Sequence, residues 1–154
     1  LDRLARDEEL RQSFEAATQS PVFFLQAQGH FRLGGLAYNR KAYDEALARY
    51  GDALAALRSQ PLQASDFRRF AARLNNQYGA TLLALGRGAE SEPYHRRAIE
   101  LEPRLIEARL NLALQLYQDL RYDRALAEVQ AALRINPDHP GALGLLEQIS
   151  AERP

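Results

Sequence analysis

The sequence contains no cysteine, no methionine and no tryptophan in its 154 residues. Without cysteine it has no disulfide, no thiolate metal ligand and no thiol nucleophile. No apolar run approaches the ~20 residues that span a bilayer, so we expect no insertion of this segment into a membrane. Because the chain starts at Leu1 and contains no methionine, we expect it to be a trimmed or processed form. Its compartment stays open between cytoplasmic and periplasmic or secreted.

An excess of charge of one sign is also lacking. The 20 Lys and Arg residues balance the 20 Asp and Glu residues, which removes the broad positive field that drives non-specific binding to nucleic acid or to an anionic membrane. We therefore expect no nucleic-acid partner. With 46% hydrophobic and 26% charged residues, the chain can bury a core, and we expect a soluble, folded domain.

A repeat with a period of about 34 residues organises the chain. The interval from Ala98 to Ala132 equals the interval from Pro103 to Pro137. Further pairs at the same shift are Gly79 with Ala113, Ser91 with Ala125, and His95 with Val129. An earlier copy keeps the same internal spacing with Gly34, Ala46, Tyr50 and Ala53. It precedes the second copy by more than one period, and we expect the extra residues to lengthen a loop and the helix that follows it.

Each copy is predicted to form two helices. In the third copy, apolar residues recur at helical spacing before and after the turn sequence QDLRYD, and strand-like alternation is nowhere sustained. Pro103 and Pro137 cannot continue the helices before them, so they end each unit. Ser20 and Pro21 are expected to be the N-cap and the first residue of the helix that opens the first copy.

Helices are also predicted at both ends of the chain. Leu10, Phe14 and Ala17 share one face, with Leu4 at its border, which indicates an amphipathic N-terminal helix. The helix after Pro140 ends in charged residues and suits the closing of a stack. We predict an all-α fold of about eight helices in a single domain. The predicted segments are an N-terminal helix at 1–20, repeat 1 at 21–58, an inserted loop at 59–64, repeat 2 at 65–102, repeat 3 at 103–136 and a C-terminal capping helix at 137–154.

The period and the residues at these offsets resemble the tetratricopeptide repeat (TPR) family, whose signature is Trp-x2-Leu-Gly-x2-Tyr, then Ala-x3-Phe-x2-Ala and a closing Pro. The matching residues are Leu33, Gly34, Tyr43, Ala46, Tyr50 and Ala53 in the first copy, Gly79, Ser91, His95, Ala98 and Pro103 in the second, and Leu112, Ala113, Tyr122, Ala125, Val129, Ala132 and Pro137 in the third. The three copies cover about residues 27–137, and the tryptophan is absent from all of them.

The resemblance implies a right-handed superhelical stack of antiparallel helix pairs. Small residues allow helix axes to approach closely, so Gly34 and Gly79 are expected to face Ala46 and Ser91 across each pair. The residues expected to fill the seam to the neighbouring repeat are Tyr50, His95 and Val129.

No combination of polar residues predicts chemistry. The three histidines are far apart in sequence, and His95 occupies the place of a packing aromatic residue, while His30 and His139 have no metal-ligand spacing. The glycines of residues 86–88 and the pair Gly34–Gly35 do not form a phosphate loop, and we interpret them as a turn and a close helix contact. The arginine clusters at 68–73 and 96–97 are interpreted as solvated helix faces, with contacts to an anionic partner as the alternative. We therefore predict no catalytic residue, no cofactor and no metal site, and the chain is not expected to be an enzyme.

By resemblance, the concave face built from the first helices of the repeats is the expected binding surface. Its amides could bind a peptide backbone, and its apolar side chains could receive those of a partner. The predicted groove residues are Phe31, Arg32, Gly35, Tyr38, Asn76, Gln77, Ala80, Leu83, Leu110, Asn111, Leu114 and Tyr117.

One class of TPR protein is predicted to be excluded. Co-chaperones of the family hold the C-terminal carboxylate of chaperones with Lys, Arg and Asn in this groove. The matching places here hold Phe31, Gly35, Gln77, Leu110 and Leu114, so the cations of a carboxylate clamp are missing.

The expected function is that of a protein–protein interaction scaffold, which binds a peptide segment or a partner helix in the concave groove. The alternative is a structural or oligomerisation module of a larger protein, whose catalytic or membrane-anchored part is outside this sequence. In that case the apolar groove residues would pack against the N-terminal helix, a following domain or a second copy of the chain.

Overall fold

The computed structural model describes residues 2–18, 22–58 and 65–152, and the described residues form eight α-helices and no strand. This confirms the expected all-α fold. The helices are α1 (Asp2–Thr18), α2 (Phe23–Asn39), α3 (Tyr43–Leu57), α4 (Ser65–Ala84), α5 (Gly88–Leu101), α6 (Ile106–Gln118), α7 (Tyr122–Ile135) and α8 (Pro140–Glu152). The chain divides into an N-terminal unit, residues 1–64 with α1 to α3, and a C-terminal unit, residues 65–154 with α4 to α8.

Within each unit, the helices pack in sequence order. In the N-terminal unit α1 packs on α2 and α2 on α3, and in the C-terminal unit each helix from α4 to α8 packs on the next. In addition, α4 contacts α6 and α6 contacts α8. The first helices of the repeats in the C-terminal unit therefore lie beside one another.

The helix ends follow the local sequence signals. Helices α5 and α7 end two residues before Pro103 and Pro137, as predicted from the missing N–H of proline. Helix α4 has 20 residues and α6 has 13, which agrees with an insertion that lengthens the first helix of the second repeat. The predicted loop at 59–64 and the predicted capping residues Ser20 and Pro21 lie outside the described residues.

Glycine sets the closest approach between the two helices of a repeat. A Cβ on Gly79 would lie 2.7 Å from Cε1 of His95, and a Cβ on Gly34 would lie 2.6 Å from Cε1 of Tyr50. Both rings are fully buried. The atoms nearest to each glycine therefore belong to the ring four residues after the small residue that the sequence analysis placed opposite it. These two rings pack inside their own helix pair.

The third repeat packs a smaller pair at the same place, with Ala113 on α6 and Val129 on α7, and its core continues into α8. The fully or almost fully buried members of this core are Leu112, Ala113, Leu116, Ala125, Val129, Ala132, Ala142 and Ile149. Val129 thus belongs to the same buried cluster as two residues of α8.

The turn inside each repeat has the same backbone geometry. Lys41, Gly86 and Leu120, which follow the first helix of each repeat, have φ values of 63°, 73° and 58°. After Leu120, the N–H of Arg121 donates to the carbonyl oxygen of Leu116 at 2.8 Å, while the N–H of Leu120 donates to that of Tyr117 at 2.9 Å. This pair of hydrogen bonds is a Schellman motif. The three helix hairpins therefore share one turn, and only Gly86 adopts its left-handed conformation without a Cβ.

Helix α1 is packed only over its C-terminal part. A Cβ on Gly29 of α2 would lie 2.8 Å from the carbonyl oxygen of Phe14 and 2.8 Å from the nitrogen of Thr18, so the two backbones approach closely there. By contrast, Leu10 is 46% exposed and Leu4 is 74% exposed. Leu10 thus lies on the predicted apolar face of α1 but is exposed, and this face is partly buried only near Phe14 and Ala17.

Candidate functional site

The predicted groove residues lie on the first helices of the repeats, α2, α4 and α6. Eleven of the twelve are at least partly exposed, and Asn76 alone is buried. Four of them belong to α2 in the N-terminal unit, and eight belong to α4 and α6 in the C-terminal unit. The two groups are described separately.

In the N-terminal unit, the aromatic groove residues rest on α3. The ring centroid of Phe31 lies 5.7 Å from that of Tyr50, and the centroid of Tyr38 lies 5.3 Å from that of Tyr43. The guanidinium of Arg32 lies 5.8 Å from the ring centroid of Phe14 on α1. These contacts restrain the side chains of Phe31, Tyr38 and Arg32.

In the C-terminal unit, hydrogen bonds connect the groove residues of α4 and α6. The Nδ2 atom of Asn111 donates to Oδ1 of Asn76 at 3.0 Å. The same oxygen lies 3.1 Å from Nδ1 of His95 on α5. Burial lowers the pKa of His95 to about 4, so its imidazole is neutral near pH 7. His95 thus packs in the core, as predicted, and it also contacts a groove residue, which the sequence did not indicate.

The C-terminal helix adds residues that the sequence analysis missed. The hydroxyl of Tyr117 donates to Oε1 of Glu152 at 2.5 Å and accepts a hydrogen bond from Nε2 of Gln148 at 3.2 Å. Leu110 reaches α8 as well, because a Cβ on Gly141 would lie 3.6 Å from its Cδ1. The repeat period could have identified Gln148, which lies one full period after Leu114.

A recess between α4 and α6 adjoins the asparagine pair. It is lined by Arg73, Asn76, Gln77, Leu105 and Glu107. Arg73 and Glu107 were not predicted as groove residues, although they are one period apart and therefore occupy equivalent positions in their repeats. Side chains of opposite charge thus stand beside the amides in this part of the groove.

The other residues that were considered for chemistry have structural roles. Nδ1 of His139 accepts a hydrogen bond from the backbone N–H of Ala142 at 3.3 Å, so this side chain caps the start of α8. Arg96 pairs with Glu92 at 2.6 Å and Arg97 with Glu100 at 3.0 Å. In the described ranges, no three histidine or carboxylate side chains are placed to hold a metal ion, and no helix there is long and apolar enough to cross a membrane.

Comparison with known proteins gives matches among solved structures alone. No protein-family model matches the sequence, and no curated protein is significantly similar to it. An Arabidopsis OM64 TPR domain is 18% identical, with a TM-score of 0.73 over 84% of this chain and 98% of that domain.

Two further structures match over similar lengths. YrrB, described as a TPR protein with an unusual peptide-binding site, is 22% identical, with a TM-score of 0.74 over 98% of this chain and 71% of YrrB. The second TPR domain of human RPAP3, in complex with the HSP70 peptide SGPTIEEVD, is 18% identical, with a TM-score of 0.70 over 82% of this chain and 96% of that domain. The repeat spacing, the helix order and these matches together show that the chain has the tetratricopeptide repeat fold.

Proposed function

We propose that this protein is a non-catalytic scaffold for protein–protein interaction, which binds a peptide segment or a partner helix along the predicted groove residues of its C-terminal unit. The observation that carries the proposal is a row of apolar side chains on α6. Leu114 is 36% exposed in the middle of this row, and Leu110 and Tyr117 beside it are partly exposed. Apolar side chains grouped on a surface are typical of sites that meet a partner.

The neighbours of this row make it suitable as a groove. Helices α4 and α8 both contact α6 and so flank the row, and Tyr117 is held by Gln148 and Glu152 of α8. Because the anchors are held before binding, a partner would lose less conformational entropy there than on a mobile surface. A related fold, the second TPR domain of RPAP3, is itself bound to a peptide, which supports the same use of the fold here.

The groove proposed here is not a carboxylate clamp. Positions that would need cations hold apolar or amide side chains, among them Leu110, Leu114 and Gln77. A partner with apolar side chains therefore fits this surface better than one held by a terminal carboxylate.

The experiment is selection of ten-residue peptides from a display library against the whole chain, followed by affinity measurements with the variant Leu114→Arg. We expect this variant to bind the selected peptides at least ~30-fold more weakly, the loss typical of a central anchor residue. Leu143→Arg is the matched control, because Leu143 on α8 is 45% exposed and is not a predicted groove residue. Equal affinity of the Leu114 variant and the wild type would refute the groove.

Self-association is a second candidate function, and one observation favours it. Leu4 and Leu10 of α1 are apolar and are 74% and 46% exposed. If they mediate an oligomer, light scattering should give a mass that rises with protein concentration, and Leu4→Glu with Leu10→Glu should abolish the rise. A constant mass equal to that of the monomer would exclude this candidate.

A further inference from the structure

Three polar side chains from three helices are joined in the C-terminal unit. Nδ1 of His95 lies 3.1 Å from Oδ1 of Asn76, and the same oxygen accepts a hydrogen bond from Nδ2 of Asn111 at 3.0 Å. We propose that His95 is a positioning residue, which holds Asn76 and Asn111 in an orientation that binds the main chain of an extended partner segment. This inference rests on the proposed function, because the two asparagines belong to the proposed groove.

The first step is the location of the imidazole proton. His95 is fully buried, and burial lowers its pKa to about 4, so the neutral ring carries one N–H near pH 7. Nε2 is buried and has no hydrogen-bond partner among the described residues. A proton on Nε2 would leave a buried donor without an acceptor, whereas a proton on Nδ1 donates to Asn76. The imidazole therefore carries its proton on Nδ1.

The second step is the orientation of the two amides. Since His95 donates, Asn76 must present its oxygen and not its NH2 group to the ring. That oxygen also accepts from Asn111, so Asn111 presents its NH2 group inwards. Reversing Asn76 would set donor against donor at about 3 Å, and reversing Asn111 would set its oxygen against the oxygen of Asn76 at the same distance. The buried ring thus determines the orientation of a partly exposed asparagine on another helix.

The third step is what remains available to a partner. Within the part of the chain that the structure describes, neither the NH2 group of Asn76 nor the carbonyl oxygen of Asn111 makes a hydrogen bond to protein. A donor and an acceptor therefore stand next to each other, and Asn76 also lines the recess between α4 and α6. One residue of an extended chain presents its own N–H and C=O to the same side, which matches this pair. A helix cannot supply them, because its main-chain groups bond to one another.

The structure suggests a variant that separates this role from packing. His95→Phe keeps an aromatic ring against Gly79 and removes both the Nδ1 donor and the unpartnered Nε2 atom. We expect the melting temperature to stay equal or rise while affinity for an extended peptide falls about five- to tenfold, the range of one or two hydrogen bonds. Tyr50→Phe is the matched control, since Tyr50 holds the equivalent position in the first repeat and its buried hydroxyl also has no partner among the described residues.

The test uses a ten-residue peptide selected on the whole chain from a display library, and a series of its analogues in which one amide N–H at a time is replaced by an ester oxygen. In the wild type, we expect one ester position to weaken binding about five- to tenfold. The same ester should cost nothing in Asn111→Ala, because the acceptor is then already missing. A long-range ¹H–¹⁵N spectrum of the free protein should show the His95 proton on Nδ1.

Each other outcome overturns the inference. A proton on Nε2, full affinity in His95→Phe, or a selected peptide that binds as a helix would each refute the positioning role, while the groove itself would stand if Leu114→Arg still weakened binding. If no selected peptide depended on Leu114, the proposed function would fail, and the inference would fail with it.

Discussion

Replacing Gly79 by alanine is expected to destabilise the protein, although alanine is the better helix former. The new Cβ would lie 2.7 Å from Cε1 and 2.9 Å from Nε2 of the buried His95 ring, well inside the ~3.5–4.0 Å of a favourable contact. Overpacking of this kind costs about 1–3 kcal/mol. The gain in helix propensity offsets about 1 kcal/mol of that cost, so we expect a net loss of up to about 2 kcal/mol in the free energy of unfolding.

Urea unfolding followed by far-UV circular dichroism measures this loss. Gly144→Ala is the matched control, because Gly144 also lies inside a helix, and a Cβ there would have no neighbour within 4 Å. The control should gain about 0.5–1 kcal/mol from helix propensity alone. A Gly79→Ala variant as stable as the Gly144→Ala variant would refute the steric argument.

A double-mutant cycle tests whether the ring is the cause. In the third repeat, Ala113 and Val129 hold the positions equivalent to Gly79 and His95 and belong to one buried cluster, so alanine is accepted there together with a smaller side chain. Gly79→Ala combined with His95→Val should therefore lose less stability than the sum of the two single losses, by about 1–2 kcal/mol. Strict additivity would mean that His95 does not oppose the new methyl group.

Three further predictions concern the turns, the buried histidine and the partner. Leu120→Gly should raise the melting temperature, because Leu120 is 71% exposed and has φ 58°, a conformation that costs a non-glycine residue about 1–2 kcal/mol. Gly86→Ala, with φ 73° at the equivalent turn, should lower it, and melting temperatures unchanged in both variants would contradict this reasoning. Because burial lowers the pKa of His95 from 6.5 to about 4, the unfolded chain binds a proton between these pH values that the folded protein does not. Stability should therefore fall as the pH falls through this window, by at most about 3 kcal/mol. His95→Phe should remove that part of the pH dependence, and urea midpoints that fall equally in both proteins would count against it. Finally, if the groove is not a carboxylate clamp, as proposed, the peptide SGPTIEEVD of the RPAP3 complex should bind this chain no more tightly than a scrambled version in fluorescence anisotropy. Tighter binding of the intact peptide would show that the groove does act as a clamp.

Several of the sequence predictions depended on local signals, and the structure agrees with them. A proline ends a helix through its own missing N–H, and α5 and α7 end two residues before Pro103 and Pro137. The segments with apolar residues at helical spacing are helices, and residues at equivalent places in the three repeats have the same left-handed turn conformation. Such signals act over a few residues, so they can be read without knowledge of what lies across the helix.

The sequence left open what each side chain contacts. It identified Gly79 as a close contact, but only packing could show that the atoms nearest to a Cβ there belong to the ring of His95. Leu10 has the helical spacing of the apolar face of α1, but its side chain is exposed, because a helix face is buried only where another helix packs against it.

The amino-acid sequence by itself determined the helices, their turns and the repeat, since these follow from propensity, proline and period. The tertiary structure decided which groups are paired across helices. Asn76 and Asn111 are 35 residues apart in the sequence, and Asn76 and His95 are 19 apart. No local sequence pattern predicts that the side-chain oxygen of Asn76 accepts hydrogen bonds from both of the other residues. Hydrogen-bond partners are set by distances of about 3 Å between helices, and these distances exist only after the side chains between the helices have packed.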